Sequence, residues 1–190
     1  MSDATHLTPA ELEAGLDHIR QSPADGGTLA MIVRRPAADQ REELPAAELD
    51  LAHGLVGDNW RARGSRSMPD GTANPDMQLN VMNARAVALL ARTRDRWPLA
   101  GDQLYVDLDL STANLPPGTR LAVGAAVIEV TAVPHTGCAK FTHRFGPDAM
   151  KFVNSPTGRA LNLRGINAKV VQPGPIRTGD AVRKLQPTKR

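Results

Sequence analysis

Cysteine occurs once in this 190-residue chain, and aromatic side chains make up only 3% of it. One thiol cannot form an internal disulfide, which excludes the disulfide-stapled scaffolds of small secreted proteins. Scarce aromatics exclude an aromatic core and give no run of rings on which nucleic-acid bases could stack, so no nucleic acid is expected as a partner. No apolar stretch approaches the ~20 residues needed to cross a bilayer. The opening Met1-Ser2-Asp3-Ala4-Thr5-His6 lacks the basic and apolar regions of a signal peptide, and the chain reads as cytoplasmic with no membrane partner. No internal repeat or low-complexity tract is present. None of the glycine clusters has the strand and helix context of a dinucleotide or phosphate-loop motif.

What is present is an aliphatic chain, 41% hydrophobic, with an uneven charge distribution under a net charge of +3. Residues 1–58 carry four basic and eleven acidic side chains, whereas residues 138–190 carry eleven basic and two acidic. Positive charge gathered toward the C-terminal side favours a small anionic ligand there.

The single thiol, Cys138, follows the strand-like run Ala126–Val133 in the segment Pro134-His135-Thr136-Gly137-Cys138-Ala139-Lys140-Phe141. His135, Lys140, His143 and Arg144 put four potential cations within six residues of the sulfur, an arrangement that favours a thiolate. Packing, sulfur transfer and metal ligation all remain open for such a thiol. The spacing of His135, Cys138 and His143 matches no familiar zinc pattern. His135 is a candidate general base or thiolate partner. Arg61, Arg63, Lys140 and Arg164 are candidate anchors for an anionic group, because guanidinium binds phosphate bidentately and ammonium offers a point charge. Asn80 and Thr136 are candidate ligand contacts, Asn80 because it is polar within an apolar strand. Gly57-Asp58 and Gly101-Asp102 read as turns.

Along the chain, Thr8 and Glu11 have capping-box spacing with Pro9 at the first helical position, and Leu12, Leu16 and Ile19 continue one apolar face, predicting a helix of about four turns. Strands are predicted at Thr28–Val33, Met77–Val81, Leu104–Leu110, Leu121–Val123, Ala126–Val133, Ala168–Val171 and Ala181–Leu185, with Ala47–Ala52 ambiguous. Asn83 caps a predicted helix through Ala84–Arg96. Residues 59–78 read as a long loop. Many short strands joined by Gly and Pro turns predict a mainly β domain of the barrel or sandwich kind with accessory helices, an α+β class.

The order Gly57-Asp58, Gln78-Leu79-Asn80-Val81, Leu99-Ala100-Gly101-Asp102-Gln103-Leu104, Pro117-Gly118-Thr119, Gly124, the strand leading to Cys138, Leu163-Arg164-Gly165, Gly174 and Gly179-Asp180 resembles the MOSC domain, named for the C-terminal part of molybdenum cofactor sulfurases. The resemblance implies a distorted β-barrel over residues 28–185, with a helical extension over 1–27 and a tail at 186–190. It also implies that Cys138 either carries a persulfide or ligates the molybdenum of a molybdopterin cofactor, the basic residues holding the anionic part. Reduction of N-hydroxylated compounds, known among members, is a further expectation. No electron-entry domain and no pyridoxal-phosphate domain is visible, so a separate reductase or a sulfur-donating desulfurase is the expected partner. Gly137 stands where the family commonly has proline, and glycine permits close approach of a ligand. The contrasting reading is a non-catalytic barrel that binds a small anion or a partner and uses Cys138 for packing.

Overall fold

The structure is a computed structural model and describes residues 6–186. The tail expected at 186–190 lies, apart from Gln186, outside the described residues.

Thr8 and Glu11 close the capping box, the Glu11 carboxylate accepting from the Thr8 amide at 2.8 Å, and Pro9 opens α1 (Pro9–Ala14). The expected four-turn helix is two short ones, α1 and α2 (Leu16–Arg20), joined at Gly15. Leu89 packs so closely there that a Cβ on Gly15 would sit 2.5 Å from its methyl carbon, which explains glycine at the joint. Leu12, Leu16 and Ile19 are buried, as their spacing requires.

There follow β1 (Gly27–Arg34), β2 (Glu42–Leu44), β3 (Ala46–Asp50), β4 (Gly54–Leu55), α3 (Trp60–Arg63), β5 (Leu79–Asn83), α4 (Ala84–Ala91), β6 (Leu104–Asp107), β7 (Arg120–Val123) and β8 (Ala126–Val130). Three helices come next, α5 (Ala139–Phe145), α6 (Pro147–Asn154) and α7 (Pro156–Ala160), then β9 (Ile166–Gln172), β10 (Gly174–Arg177) and β11 (Ala181–Lys184). Seven strands close on themselves in the order β1, β6, β5, β9, β8, β7, β11 and back to β1, with β2 added beside β1. Among the described residues only β5 and β6 pair in parallel. A separate sheet is formed by β10, β3 and β4.

Alternation along the strands sends one set of side chains inward and the other outward. Leu29, Ile32, Leu79, Val81, Leu104, Val106, Ile166 and Ala168 fill the barrel. Met31, Val33, Met82 and Tyr105 project outward and meet Leu12, Leu16, Val87, Phe141 and Phe145 in a second core between barrel and helices. Each such aliphatic side chain stabilises the fold by about 1.5–3 kcal/mol, so a core without many aromatics suffices.

Two expectations about regular structure need correction. The helix after Asn83 stops at Ala91, because Arg92 takes φ +64° and ends the helical run; the chain resumes as a 3₁₀ turn over Arg94–Ala100. The span 59–78 is not all loop, since it holds α3 and a 3₁₀ turn at Pro75–Met77 capped by Asn74. The helices over 139–160 are too short to show a long apolar period. Their starts are marked by Pro147 and Pro156, and the Ser155 hydroxyl accepts from the Gly158 amide at 3.0 Å.

Candidate functional site

A cleft of about 700 Å³ opens on the outer surface of the barrel, between the segment after β1, α3, the turn before β6, the segment between β8 and α5, and α5 itself. Its floor begins with a cross-strand pair. Asn80 on β5 stands opposite Asn167 on β9 and donates to its Oδ1 at 2.7 Å, while Asn167 Nδ2 donates to the Val133 carbonyl at 3.0 Å. Leu79, Val81, Ile166 and Ala168 point into the barrel, so Asn80 and Asn167 must face outward.

Arg35, at the exit of β1, donates from Nη1 to Asn80 Oδ1 at 3.0 Å and to the Gly101 carbonyl at 2.9 Å, and from Nε and Nη2 to the two oxygens of Asp58 at 2.8 Å. Asp58 also accepts from the Arg35 and Trp60 amides. This guanidinium makes four hydrogen bonds to the protein and ties β1 to the cleft floor.

The second buried cluster centres on Asp102. One carboxylate oxygen lies 2.7 Å from His135 Nε2, and the other accepts from Arg164 Nη1 at 2.7 Å. Arg164 Nη2 donates to the Ala100 carbonyl, and its guanidinium lies 5.0 Å above the Phe141 ring. Burial pushes the Asp102 carboxyl up, but Arg164 and His135 outweigh it and hold the group below the ordinary carboxylate range. His135 is held below the ordinary imidazole range by burial and then by the charge of Arg164, against the pull of Asp102. An ionised carboxylate only accepts, so a neutral His135 donates through Nε2–H and carries its lone pair on Nδ1. Gly165, at φ +110°, lets this imidazole lie against β9, since a Cβ there would come within 2.4 Å of the Val81 carbonyl oxygen and 3.0 Å of His135 Cδ2.

Cys138 is exposed, lines the cleft and precedes α5. Two of the cations expected around it are engaged on the rim: Lys140 donates to both oxygens of Asp39 at 2.7 and 2.8 Å, and Arg144 donates to Asp39 at 3.0 Å and to the Leu99 carbonyl at 2.8 Å. His143 is exposed on α5 and is not among the lining residues. A Cβ at Gly137 would lie 2.4 Å from Met150 Sδ, so the glycine gives the Met150 side chain of α6 room to pack here.

Of the residues singled out in the sequence, His135, Thr136, Cys138, Lys140, Arg164, Asn80 and Arg63 all border the cleft. Arg61 does not. It reaches the Ala52 carbonyl and His53 Nε2 beside a different groove that includes Trp60 and Pro75. Two residues apart on a helix differ by about 200° in direction, which sends Arg61 and Arg63 of α3 to opposite sides. Sequence reasoning missed Arg35, Arg41 and Asn59 as lining residues and took Asp58 and Asp102 for turn residues, while Arg144, expected near the thiol, does line the cleft. The only hint was polarity directly after a strand, in Arg34-Arg35.

Arg41 and Arg63 make no ion pair among the described residues. Both guanidinium groups are pulled downward, first by burial; Arg144 and Arg35 add to this at Arg41, and Arg35 at Arg63. Three buried side-chain atoms among the described residues lack a hydrogen-bond partner: Arg41 Nε, Asn59 Oδ1 and Arg164 Nε. All three residues line this cleft. Buried polar atoms are nearly always paired, so three unpaired ones on residues of one cleft single it out as the candidate site.

Residues 68–183 match the family model of the MOSC domain. The match covers more than half of the chain, and the protein belongs to the MOSC family. Among solved structures, it is similar to the YUAD protein from Bacillus subtilis, with a TM-score of 0.61 and 15% identity over 84% of this chain and 97% of that one. It is also similar to YiiM from Escherichia coli, with a TM-score of 0.54 and 18% identity over 86% and 72% of the two chains. YiiM from Geobacillus stearothermophilus gives 0.52 and 14% over 86% and 74%. These likenesses show the shared fold. No curated protein matches the chain in sequence. Among the described residues no helix is long and apolar enough to cross a membrane.

Proposed function

We propose that this MOSC protein holds a phosphorylated pterin cofactor of molybdenum in the cleft, with Cys138 as the thiolate ligand of the metal. The observation that carries this reading is that Arg41, Asn59 and Arg164, each with a buried side-chain atom that has no hydrogen-bond partner, all line the cleft that Cys138 borders. The donor set fits the group. Arg41 and Arg63, without carboxylate partners, suit a phosphate; the Asn59 carbonyl oxygen suits a ring N–H; a thiolate suits a soft metal. When bound, the molybdenum centre would supply two-electron redox chemistry, with electrons delivered by a separate reductase. His135 contributes a neutral imidazole at the cleft wall, able to accept a proton on Nδ1 while Asp102 holds its other nitrogen.

The exposure of Cys138 favours one second reading, a sulfur carrier. Its thiolate would attack the outer sulfur of a donor protein's persulfide, forming a new S–S bond as the old one breaks and the donor leaves as a thiolate. The volume of the cleft and its cationic lining favour the cofactor, since a persulfide alone needs neither.

Expression in a host that makes the cofactor, followed by elemental analysis and intact mass of the purified chain, tests both. Near-stoichiometric molybdenum and pterin are expected in the wild type, with a large loss in Cys138→Ala and a partial loss in Arg41→Ala, both folded. Molybdenum unchanged in Cys138→Ala overturns the ligand assignment. An added mass of about 32 Da on Cys138 without molybdenum supports the carrier instead.

A further inference from the structure

A second cavity, of about 440 Å³, backs onto the first, and His135, Thr136 and Arg164 line both. The two chambers differ in chemistry. The first is bordered by Arg35, Arg41, Arg63, Lys140 and Arg144. The second is bordered by Leu115, Pro117, Val130, Val133, Val153 and Ile166, and apart from the shared Arg164 and His135 its only ionisable side chain is the exposed Arg159.

Its uncharged polar residues are asparagines and threonines, Asn154, Asn162 and Asn167 with Thr112, Thr131 and Thr136. The Asn162 amide donates to the Leu110 carbonyl at 2.8 Å, the Asn154 amide to Met150 Sδ at 3.1 Å, and the Asn167 amide to Val133. One donor of each amide is engaged by the protein, and the carbonyl oxygens of Asn154 and Asn162 have no protein partner among the described residues, which leaves them as acceptors. Asn162 is held at φ +48°, a conformation few non-glycine residues adopt. Gly158 lets α7 close onto α6 at the cavity's edge, as a Cβ there would lie 2.3 Å from the Phe152 carbonyl oxygen. An apolar-walled recess within the ~300–1,000 Å³ range of ligand sites, with a few polar groups among its walls, has the character of a small-molecule site.

We infer that this second chamber binds an uncharged, largely apolar organic molecule that carries an N–H or O–H donor, with its polar end at the His135–Thr136 wall. Its identity as the substrate of the cleft rests on the cofactor reading above; its binding does not. An anion is disfavoured by the acceptor oxygens and the apolar walls, and would go to the cationic chamber instead.

The test uses the full chain without cofactor, labelled for NMR, and three probes: benzamide, its anionic isostere benzoate, and inorganic phosphate. Benzamide is expected to shift the methyl signals of Val130, Val153 and Ile166 and the Asn162 side-chain amide, and phosphate to shift Arg41 and Arg63. Asn154→Trp, which fills the chamber, is expected to weaken benzamide by at least about tenfold and to leave phosphate binding unchanged. Thr112→Trp, from another lining position that is exposed, gives the same readout should the first variant fold poorly. Benzamide that leaves these methyls unmoved, binds Asn154→Trp and Thr112→Trp undiminished, or is outcompeted there by benzoate overturns the assignment. Phosphate failing at Arg41 and Arg63 while benzamide binds counts against the cofactor reading alone.

Discussion

Asp102 and Asp39 each hold an arginine and a second basic side chain beside one cleft, the first on its floor and the second on its rim. Asp102 is fully buried and its partners Arg164 and His135 nearly so, with side-chain exposures of 7% and 11%. Asp39 is 58% exposed and grips Lys140, itself 59% exposed, together with Arg144. Burial decides what each can do. Charges on the floor have lost their water and cannot exchange partners without stranding one another, whereas charges on the rim trade protein for solvent or ligand at little cost. The floor is therefore framework, fixing His135 and Arg164 in place. The rim is a set of cations already held by an anion that a ligand can replace.

The largest expected effect lies on the floor. Asp102→Ala leaves Arg164 buried without its carboxylate and is expected to destabilise the fold by about 3–5 kcal/mol, read as a lower urea midpoint. A loss no larger than that of an exposed-pair variant would erase the distinction between floor and rim. A smaller effect on the same cluster comes from pH. The folded pKa of His135 is depressed from an ordinary value of 6.5, so above that pH both folded and unfolded chains are neutral at this site. As pH falls below about 6.5 the unfolded chain takes up a proton that the folded chain refuses, so stability declines until the folded value is reached. His135→Gln should flatten this part of the stability profile. A wild type that gains stability over the same interval would show that protonated His135 is the form Asp102 favours.

Short aliphatic runs at 28–33 and 126–130, each following a glycine turn, made the barrel strands readable, and the Thr8–Glu11 box marked the first helix. Cys138 and His135 were readable because they adjoin one strand. The floor was not, because its bonds join distant positions: Arg35 meets Asp58 and Asn80, and Asp102 meets Arg164, across 23, 45 and 62 residues. Asp58 and Asp102 also look like turn residues, each following a glycine, and local chemistry alone gives no reason to bury them. Arg61 and Arg63 show the converse. Their side-by-side basic character suggested one role, and a single helical turn separates them into two surfaces.

The rim supplies the smallest and sharpest prediction. The Asp39 carboxyl is held below its ordinary range, first by the hydrogen bond from Lys140 and then by the Lys140 charge, so its hold is complete above about pH 3.8 and fades only as pH falls through the lower folded value. At neutral pH Asp39 thus competes with any anion for Lys140 and Arg144. Asp39→Asn keeps the side chain's shape and removes that competitor, and calorimetric titration with phosphate at low salt should show affinity raised by a modest factor, about two- to fivefold, with thermal stability nearly unchanged. Weaker binding in this variant would mean that Asp39 aims the two cations at the ligand, which would make the rim as much a built part of the site as Asp102 is of the floor.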